Sequence, residues 1–343
     1  MTQITFPWHV QTLQEVLQRR QRMPHAFLLH GREGIGKVEF ARALAQSLLC
    51  ENPGRDGIAC GACPACHWFS QGNHPDFREI VPEAMQAEAN DDPVVEGETA
   101  KPEKKSTLIT IDQIRDVGVF FTLSTHRDGF RILLVHPAEA MNPASANALL
   151  KTLEEPNPNT LILLIASQPA RLLATVKSRC QKLALGVPAH AEALAWLRNE
   201  GVADAEILLA QAGGAPLLAR NWNTPEYRAQ RKTFLDALAN PVQSDWLTLA
   251  ASLEKSDLSQ VLHWLHTWCC DLVFQNSASR IRHHHDYRPA LERLSRGISL
   301  PDLFRYETLL RSARRSIAHS LNARLLLEHL LISYADALNC KAG

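Results

Sequence analysis

The sequence has no net charge, no apolar run approaching the roughly 20 residues of a membrane-spanning helix, and no repeat of fixed period. Lysine plus arginine equals aspartate plus glutamate at 36 each, so the chain lacks the overall basic excess that drives independent nucleic-acid binding. Its first residues, MTQITFPWHVQTLQEVLQRRQRM, lack the basic-then-apolar order of a secretory signal and alternate instead like an amphipathic helix. The expected compartment is the cytoplasm. One further absence is local: in GREGIGKV, Gly31 to Val38, a valine stands where a phosphate-binding loop carries the Ser or Thr that holds magnesium.

What is present is a chain of 343 residues, 45% hydrophobic and 21% charged, too long for one ordinary core and suited to two or three packed units. The charge balance hides an asymmetry. Through Gln168 there are 15 basic and 20 acidic residues, and afterwards 21 and 16, so the two parts carry about −5 and +5. A solvated helical surface accounts for the basic half more simply than a polyanion site does.

Short β-rich runs alternate with helical patterns through the first half, which argues for an α/β parallel sheet covered by helices. Ala26 to His30 runs into the glycine loop, and Val38 to Leu49 has helical periodicity. Arg131 to Val135 and Leu161 to Ile165 read as fully buried strands. Ala144 to Leu153 between them reads as a helix, closed by Glu154-Glu155-Pro156. The stretch 82–106 is acidic, holds three prolines and has no usable periodicity, as expected of a mobile surface insertion. After about residue 170 strand signals fade and leucine- and alanine-rich helical patterns continue to the end, with joints at Gly186-Val-Pro188 and near Asn221 to Pro225.

The loop follows an expected strand and opens an expected helix, the geometry in which backbone N–H groups and a helix N-terminus surround phosphate. Gly31, Gly34 and Gly36 would shape it and Lys37 would face the outer phosphates. The alternative is a glycine turn that merely joins strand to helix. Hydrolysis needs oxygen ligands for magnesium, and two are missing: Val38 has no hydroxyl, and the strand ending at Val135 leads to His136-Pro137 instead of carboxylates. Any nucleotide site here is degenerate, and ATP is not expected to bind it productively.

Cysteines at 50, 60, 63 and 66 form C-x9-C-x2-C-x2-C. Four thiolates with no open position suit a structural zinc site formed by Cys50, Cys60, Cys63 and Cys66, with His67 a spare candidate. Reduced, inert cysteines are the alternative, and an iron–sulfur centre ranks lower. Cys180, Cys269, Cys270 and Cys340 are scattered in apolar surroundings. His283-His-His285 reads as a polar loop between helices. Trp246, Trp264 and Trp268 read as core or interface anchors, and His74-Pro75-Asp76 as a turn. Arg311, Arg314 and Arg315 make the best basic patch of the second half, read as a solvated or partner-facing surface.

The lead-in His25 to Gly31, the four-cysteine insertion, the run Asn147 to Pro156 and Ser178-Arg179-Cys180 together resemble bacterial DNA polymerase III clamp-loader subunits of the AAA+ family. The resemblance concentrates in residues 20–185. Val38 and His136-Pro137 depart from the ATP-hydrolysing gamma/tau type and resemble the delta-prime type, in which nucleotide chemistry is absent. In active members the lid carries a nucleotide-sensing arginine in a Gly-Ser-x-Arg-like run, where Gly214-Ala-Pro-Leu217 offers leucine.

The resemblance implies an AAA+ α/β domain over 1–168 with the zinc module at 50–66 and the acidic loop at 82–106. A helical lid over 169–222 and a helical collar over 223–343 would follow. It implies a non-hydrolysing stator in a hetero-oligomeric ring with gamma/tau and delta subunits, meeting the sliding clamp and primed DNA through the assembly within the DNA polymerase III holoenzyme. Arg179 would act as an arginine finger in trans, on a neighbour's ATP. The competing readings are an active gamma-type ATPase subunit and a zinc-dependent DNA-binding protein unconnected to the ring.

Overall fold

The computed structural model describes residues 5–89, 106–122, 129–316 and 322–339. It divides into two compact units, Met1–Ala189 and His190–Gly343. Among the described residues no helix is long and apolar enough to cross a membrane.

The first unit is built on five parallel strands: β1 (Ala26–His30), β2 (Phe77–Ile80), β3 (Arg131–Val135), β4 (Thr160–Ala166) and β5 (Gln181–Ala184), in the order β2-β3-β4-β1-β5. This is the α/β parallel sheet covered by helices that the sequence pattern predicts. Around the sheet run helices α1 (Val10–Gln18), α2 (Lys37–Leu49), α3 (Pro64–Ser70), α4 (Glu83–Ala89), α5 (Ile111–Thr122), α6 (Pro143–Glu154) and α7 (Ala174–Lys177). Strands β3 and β4 are buried along their whole length, which is why their sequences are unbroken apolar runs and not alternating ones. A core of Leu28, Leu133, Ile162 and Leu164 with Ile114, Leu149 and Val176 fills one face.

Register decides what meets at the carboxyl ends of the strands. His30 pairs with Ala166 of β4 and with Ala184 of β5, so the loop after β1 opens beside Ser167 and Leu185. Val135 pairs with Leu164, which brings His136 to the same edge. Open α/β sheets bind ligands at this edge. Asn142 starts α6 by accepting from the Ser145 N–H at 2.8 Å, with Pro143 at the first helical position.

Two local differences from the sequence reading have physical causes. Strand β5 lies where strand signals were expected to have faded: it is a sheet edge of four residues, Gln181-Lys-Leu-Ala184, mostly exposed and therefore without an apolar run. The acidic stretch 82–106 begins with the helix α4, tied at its base where Ser106 N–H donates toward Glu83; its residues 90–105 lie outside the described ones, as does Cys340.

Helices α8 (His190–Asn199), α9 (Ala205–Gln211), α10 (Pro216–Asn221), α11 (Pro225–Ala239) and α12 (Trp246–Ser252) open the second unit. It continues with α13 (Leu258–Ala278), α14 (Arg288–Gly297), α15 (Leu300–Ser316) and α16 (Ala323–Asn339). Trp264 and Trp268 are fully enclosed on α13 as core anchors. Each indole N–H finds a phenol: Trp264 donates to Tyr227 at 3.0 Å and Trp268 to Tyr334 at 2.8 Å. The histidine tract lies in a loop between helices, as expected, but its His284 is not solvated. The buried Asp271 carboxylate accepts the backbone N–H groups of Arg282, His283 and His284, which folds the tract inward. His284 is fully buried, accepting from Arg231 at Nδ1 and hydrogen-bonded to Thr267 through Nε2, each at 3.0 Å.

Burial pushes the His263 imidazole down to about 4 and the enclosed His284 well below the ordinary histidine value. The unfolded chain takes up these protons near pH 6.5, whereas the folded unit refuses them until far lower, so stability falls as pH drops below about 6.5. The expected result is a urea midpoint that declines from pH 7 to pH 5, with a shallower decline in His263→Gln than in the parent.

Candidate functional site

The loop between β1 and α2 has the backbone of a phosphate cradle. Gly34 and Gly36 take positive φ values of 75° and 90°, and Gly36 stands as the residue before α2 begins at Lys37. Gly31 passes so close to β5 that an added Cβ would lie 2.3 Å from the Leu185 carbonyl oxygen. The sequence-expected residues Gly31, Gly34, Gly36 and Lys37 thus form one continuous turn.

Lys37 does not reach outward. It is buried, and its Nζ donates to the Arg32 carbonyl at 2.7 Å and to Ser167 Oγ at 2.9 Å. Burial lowers its pKa, opposed by the nearby carboxylates of Glu33, Glu139 and Glu39. Glu139 in turn accepts the backbone N–H groups of Ser167 and Gln168 on Oε1, both at 2.9 Å. Its Oε2 is enclosed with no hydrogen-bond partner among the described residues. A chain of polar contacts therefore runs from Lys37 through Ser167 to Glu139.

The second magnesium position is turned elsewhere. His136 Nε2 meets Glu79 Oε1 at 2.6 Å, and Arg42 Nη2 meets the same oxygen at 2.7 Å. Burial alone would raise the Glu79 carboxyl; hydrogen bonds from His136 and Arg42 outweigh it and hold the pKa below its usual value. The imidazole is thus committed to a carboxylate on β2. Val38, next to Lys37, offers no oxygen.

Three aromatic residues ahead of α1 complete the loop. The Phe6 ring covers Gly36, Trp8 stacks on Phe6 with centroids 4.9 Å apart, and Trp8 Nε1 donates to the Ile35 carbonyl at 2.9 Å. His9 Nε2 donates to the same carbonyl at 2.8 Å. Sequence reasoning passed over these residues and over Ser167, Glu139 and Glu79. Ser167 carried one usable signal, a hydroxyl directly after a buried strand that neighbours the loop strand. Leu217, at the sensing-arginine position, is a buried apolar residue of α10.

The four cysteines do converge. Cys50 follows α2, Cys60 lies in the turn after it, and Cys63 and Cys66 lie at the start of α3; all four sulfurs fall within 4.8 Å of one another. Cys50 Sγ stands 3.6 Å from Cys60 Sγ and 3.8 Å from Cys63 Sγ. A tetrahedron with metal–sulfur bonds of about 2.3 Å has edges of about 3.8 Å, so the donor set could hold a metal ion. Backbone N–H groups of Ala62 and Cys63 donate to Cys60 and bring its thiol down to about 6, whereas burial raises Cys50 and Cys66.

Arg179 sits apart from the loop contacts, after α7. Its Nη2 pairs with Glu154 Oε1 at 2.6 Å, and its Nη1 donates to the Thr175 carbonyl at 3.0 Å. About a third of the side chain is exposed, at 35%. His74 and Asp76 are buried, with Asp76 paired to Arg131 at 3.4 Å, a structural pin beneath β3.

Residues 7–188 match the family model described as DNA polymerase III, delta subunit, and residues 225–336 match that of its C-terminal part. The chain is 34% identical to the DNA polymerase III subunit delta' of Pseudomonas aeruginosa, over 96% of this chain and 97% of that one. It is 32% identical to the subunit delta' of Escherichia coli, over 78% of this chain and 76% of that one. A DNA polymerase III subunit tau from Salmonella typhimurium is 31% identical over 46% of this chain and 21% of its own length.

Gly36→Ala tests the loop directly. A Cβ would stand 2.4 Å from Phe6 Cδ2 on a backbone already at φ 90°. The expected loss is roughly 1–3 kcal/mol in urea unfolding, partly but not fully recovered when Phe6→Ala is added, since the left-handed backbone penalty remains.

Proposed function

The chain belongs to the DNA polymerase III delta-prime family, and we propose that it is a clamp-loader subunit without ATP hydrolysis of its own that lends an arginine to a neighbour's ATP site. The observation that carries this reading is the state of Lys37, whose ammonium is bonded to the chain's own Arg32 carbonyl and Ser167 hydroxyl. The residues around it do not fit a magnesium-bound triphosphate. Val38 brings no oxygen, and His136 is held by Glu79. A hard divalent cation needs oxygen ligands at both positions.

Arg179 supports the second half of the proposal. A guanidinium is always charged and presents donors in a fixed plane, suited to the charge that develops on a transferred phosphoryl group. Here it lies at a half-exposed position with its Nη1 fixed by a backbone carbonyl. In a ring with gamma/tau and delta subunits the chain is a stator, against which ATP-bound neighbours reorganise while loading the sliding clamp on primed DNA. The AAA+ domain of this reading runs past the expected boundary at 168, because Gln181–Ala184 is a strand of its sheet and the first unit extends to Ala189; the lid then covers 190–222 and the collar 223–343, all working in the cytoplasm. A net charge of zero supports the reading that DNA contacts come mainly through the assembly.

The four thiols hold zinc in this reading. Cys50, Cys60, Cys63 and Cys66 would form a closed tetrahedral site that supplies folding energy and no open coordination position for catalysis. Metal analysis should find about one zinc per chain in the parent and none in Cys63→Ser, and chelation should lower the thermal midpoint. A fully stable chain isolated without metal would contradict the assignment.

Reconstitution with the remaining subunits tests the arginine. Arg179→Ala should assemble normally yet slow DNA- and clamp-stimulated ATP hydrolysis by about tenfold or more, a lower bound beside the roughly thousandfold or more that arginine fingers are worth elsewhere. Equal rates at saturating protein would remove Arg179 from the mechanism. The isolated chain should release no phosphate from magnesium-ATP above background; tight binding with turnover would favour the gamma-type ATPase reading instead.

A further inference from the structure

Arg179 is the only residue of the proposed mechanism that must act outside its own chain, and a flexible side chain acts poorly unless something holds it. Its two flanks are fixed: Val176 is fully buried and Cys180 nearly so, which sets the backbone on either side. The guanidinium itself is gripped from two helices. From α7 the Thr175 carbonyl accepts Nη1 at 3.0 Å, joined by Ser178 Oγ at 3.4 Å. From α6 the Glu154 carboxylate accepts Nη2 at 2.6 Å.

Glu154 is oddly placed for any other purpose. It is the last residue of α6, where the helix dipole disfavours a carboxylate. The pair is about half exposed, 35% for Arg179 and 47% for Glu154, so solvent screening leaves it little worth as a stabilising salt bridge. What the pair does accomplish is orientation. With Nη1 and one side of Nη2 occupied, the guanidinium plane is set, and Nε–H and the second Nη2–H make no hydrogen bond among the described residues.

We propose that Glu154 is a positioning residue for Arg179, fixing the guanidinium plane so that its remaining donors are presented to an anionic phosphoryl group of a neighbouring subunit. This rests on the arginine-finger reading above. Glu154 contributes an acceptor oxygen and geometry; its negative charge opposes the phosphoryl group and is not the useful part. A long side chain that is already oriented loses less conformational freedom when it docks, and small misplacements of a reacting partner are costly.

The test uses the reconstituted ring with Glu154→Ala, Glu154→Gln, Arg179→Ala and the double variant Glu154→Ala/Arg179→Ala. Each is first compared for assembly and thermal midpoint, which an exposed pair should leave unchanged. Glu154→Ala should lower kcat for stimulated ATP hydrolysis roughly fivefold with KM for ATP little changed, Glu154→Gln should retain most of the rate, and the double variant should match Arg179→Ala alone. If Arg179→Ala slows the ring while Glu154→Ala runs at the parental rate or faster, the positioning role is overturned and the finger reading stands. A double variant slower than Arg179→Ala overturns it too, because Glu154 would then act without Arg179. Should Arg179→Ala itself run at the parental rate, the finger reading falls and this inference falls with it.

Discussion

A lysine ammonium enclosed by protein must find oxygen, and most of what distinguishes this chain follows from where Lys37 finds it. In a working phosphate loop the oxygen belongs to the ligand. Here it comes from the loop's own Arg32 carbonyl and from Ser167, delivered by the register that places the residue after β4 beside the residue after β1. Glu139 braces Ser167 from behind, and the Phe6 ring with Trp8 and His9 holds the Ile35–Gly36 backbone from the other side. The cradle is intact as a shape, and its lysine and its Ile35 carbonyl are bonded within the chain.

Bonding Lys37 within the chain keeps the proposed nucleotide and arginine tasks apart. The strand edge keeps the backbone shape of a phosphate loop, whereas the guanidinium proposed to act on a neighbour's ATP lies in the turn after α7. There the local chemistry is of another kind: a half-exposed guanidinium, carbonyl and carboxylate acceptors, and open donors. If Arg179 acts as proposed, it does so on a neighbour's substrate without a competing substrate in its own chain.

Much of this was legible in the sequence because the signals were of the robust kind. Strands buried on both faces must be apolar throughout, so β1, β3 and β4 announced themselves; the glycine loop and the four cysteines did so by spacing. The loss of oxygen at Val38 and His136 needed only the residue types. What stayed hidden depended on register or on long separations. Strand β5 is a short polar edge whose place is set by pairing with β1. Ser167 and Glu139 matter only once β4 and β1 lie side by side. That His284 of the histidine loop is buried was hidden until Asp271, on the preceding helix, accepted the backbone N–H groups of Arg282, His283 and His284. Glu154 was visible within a motif, but its carboxylate gains a role only when α6 and α7 bring it to Arg179.

The helix α2 joins two of these features end to end. Its first residue is Lys37 and the residue after its last is Cys50, one corner of the thiol cluster. Thirteen residues at 1.5 Å each make a strut of about 20 Å. In the proposed stator, with a metal ion closing the thiol cluster, a rod held at both tips would not slide lengthwise, its axial travel blocked at the sulfur end as well as at the glycine end. Immobility of that sort is what a fixed bearing requires, and the moving parts of the machine would then belong to other chains.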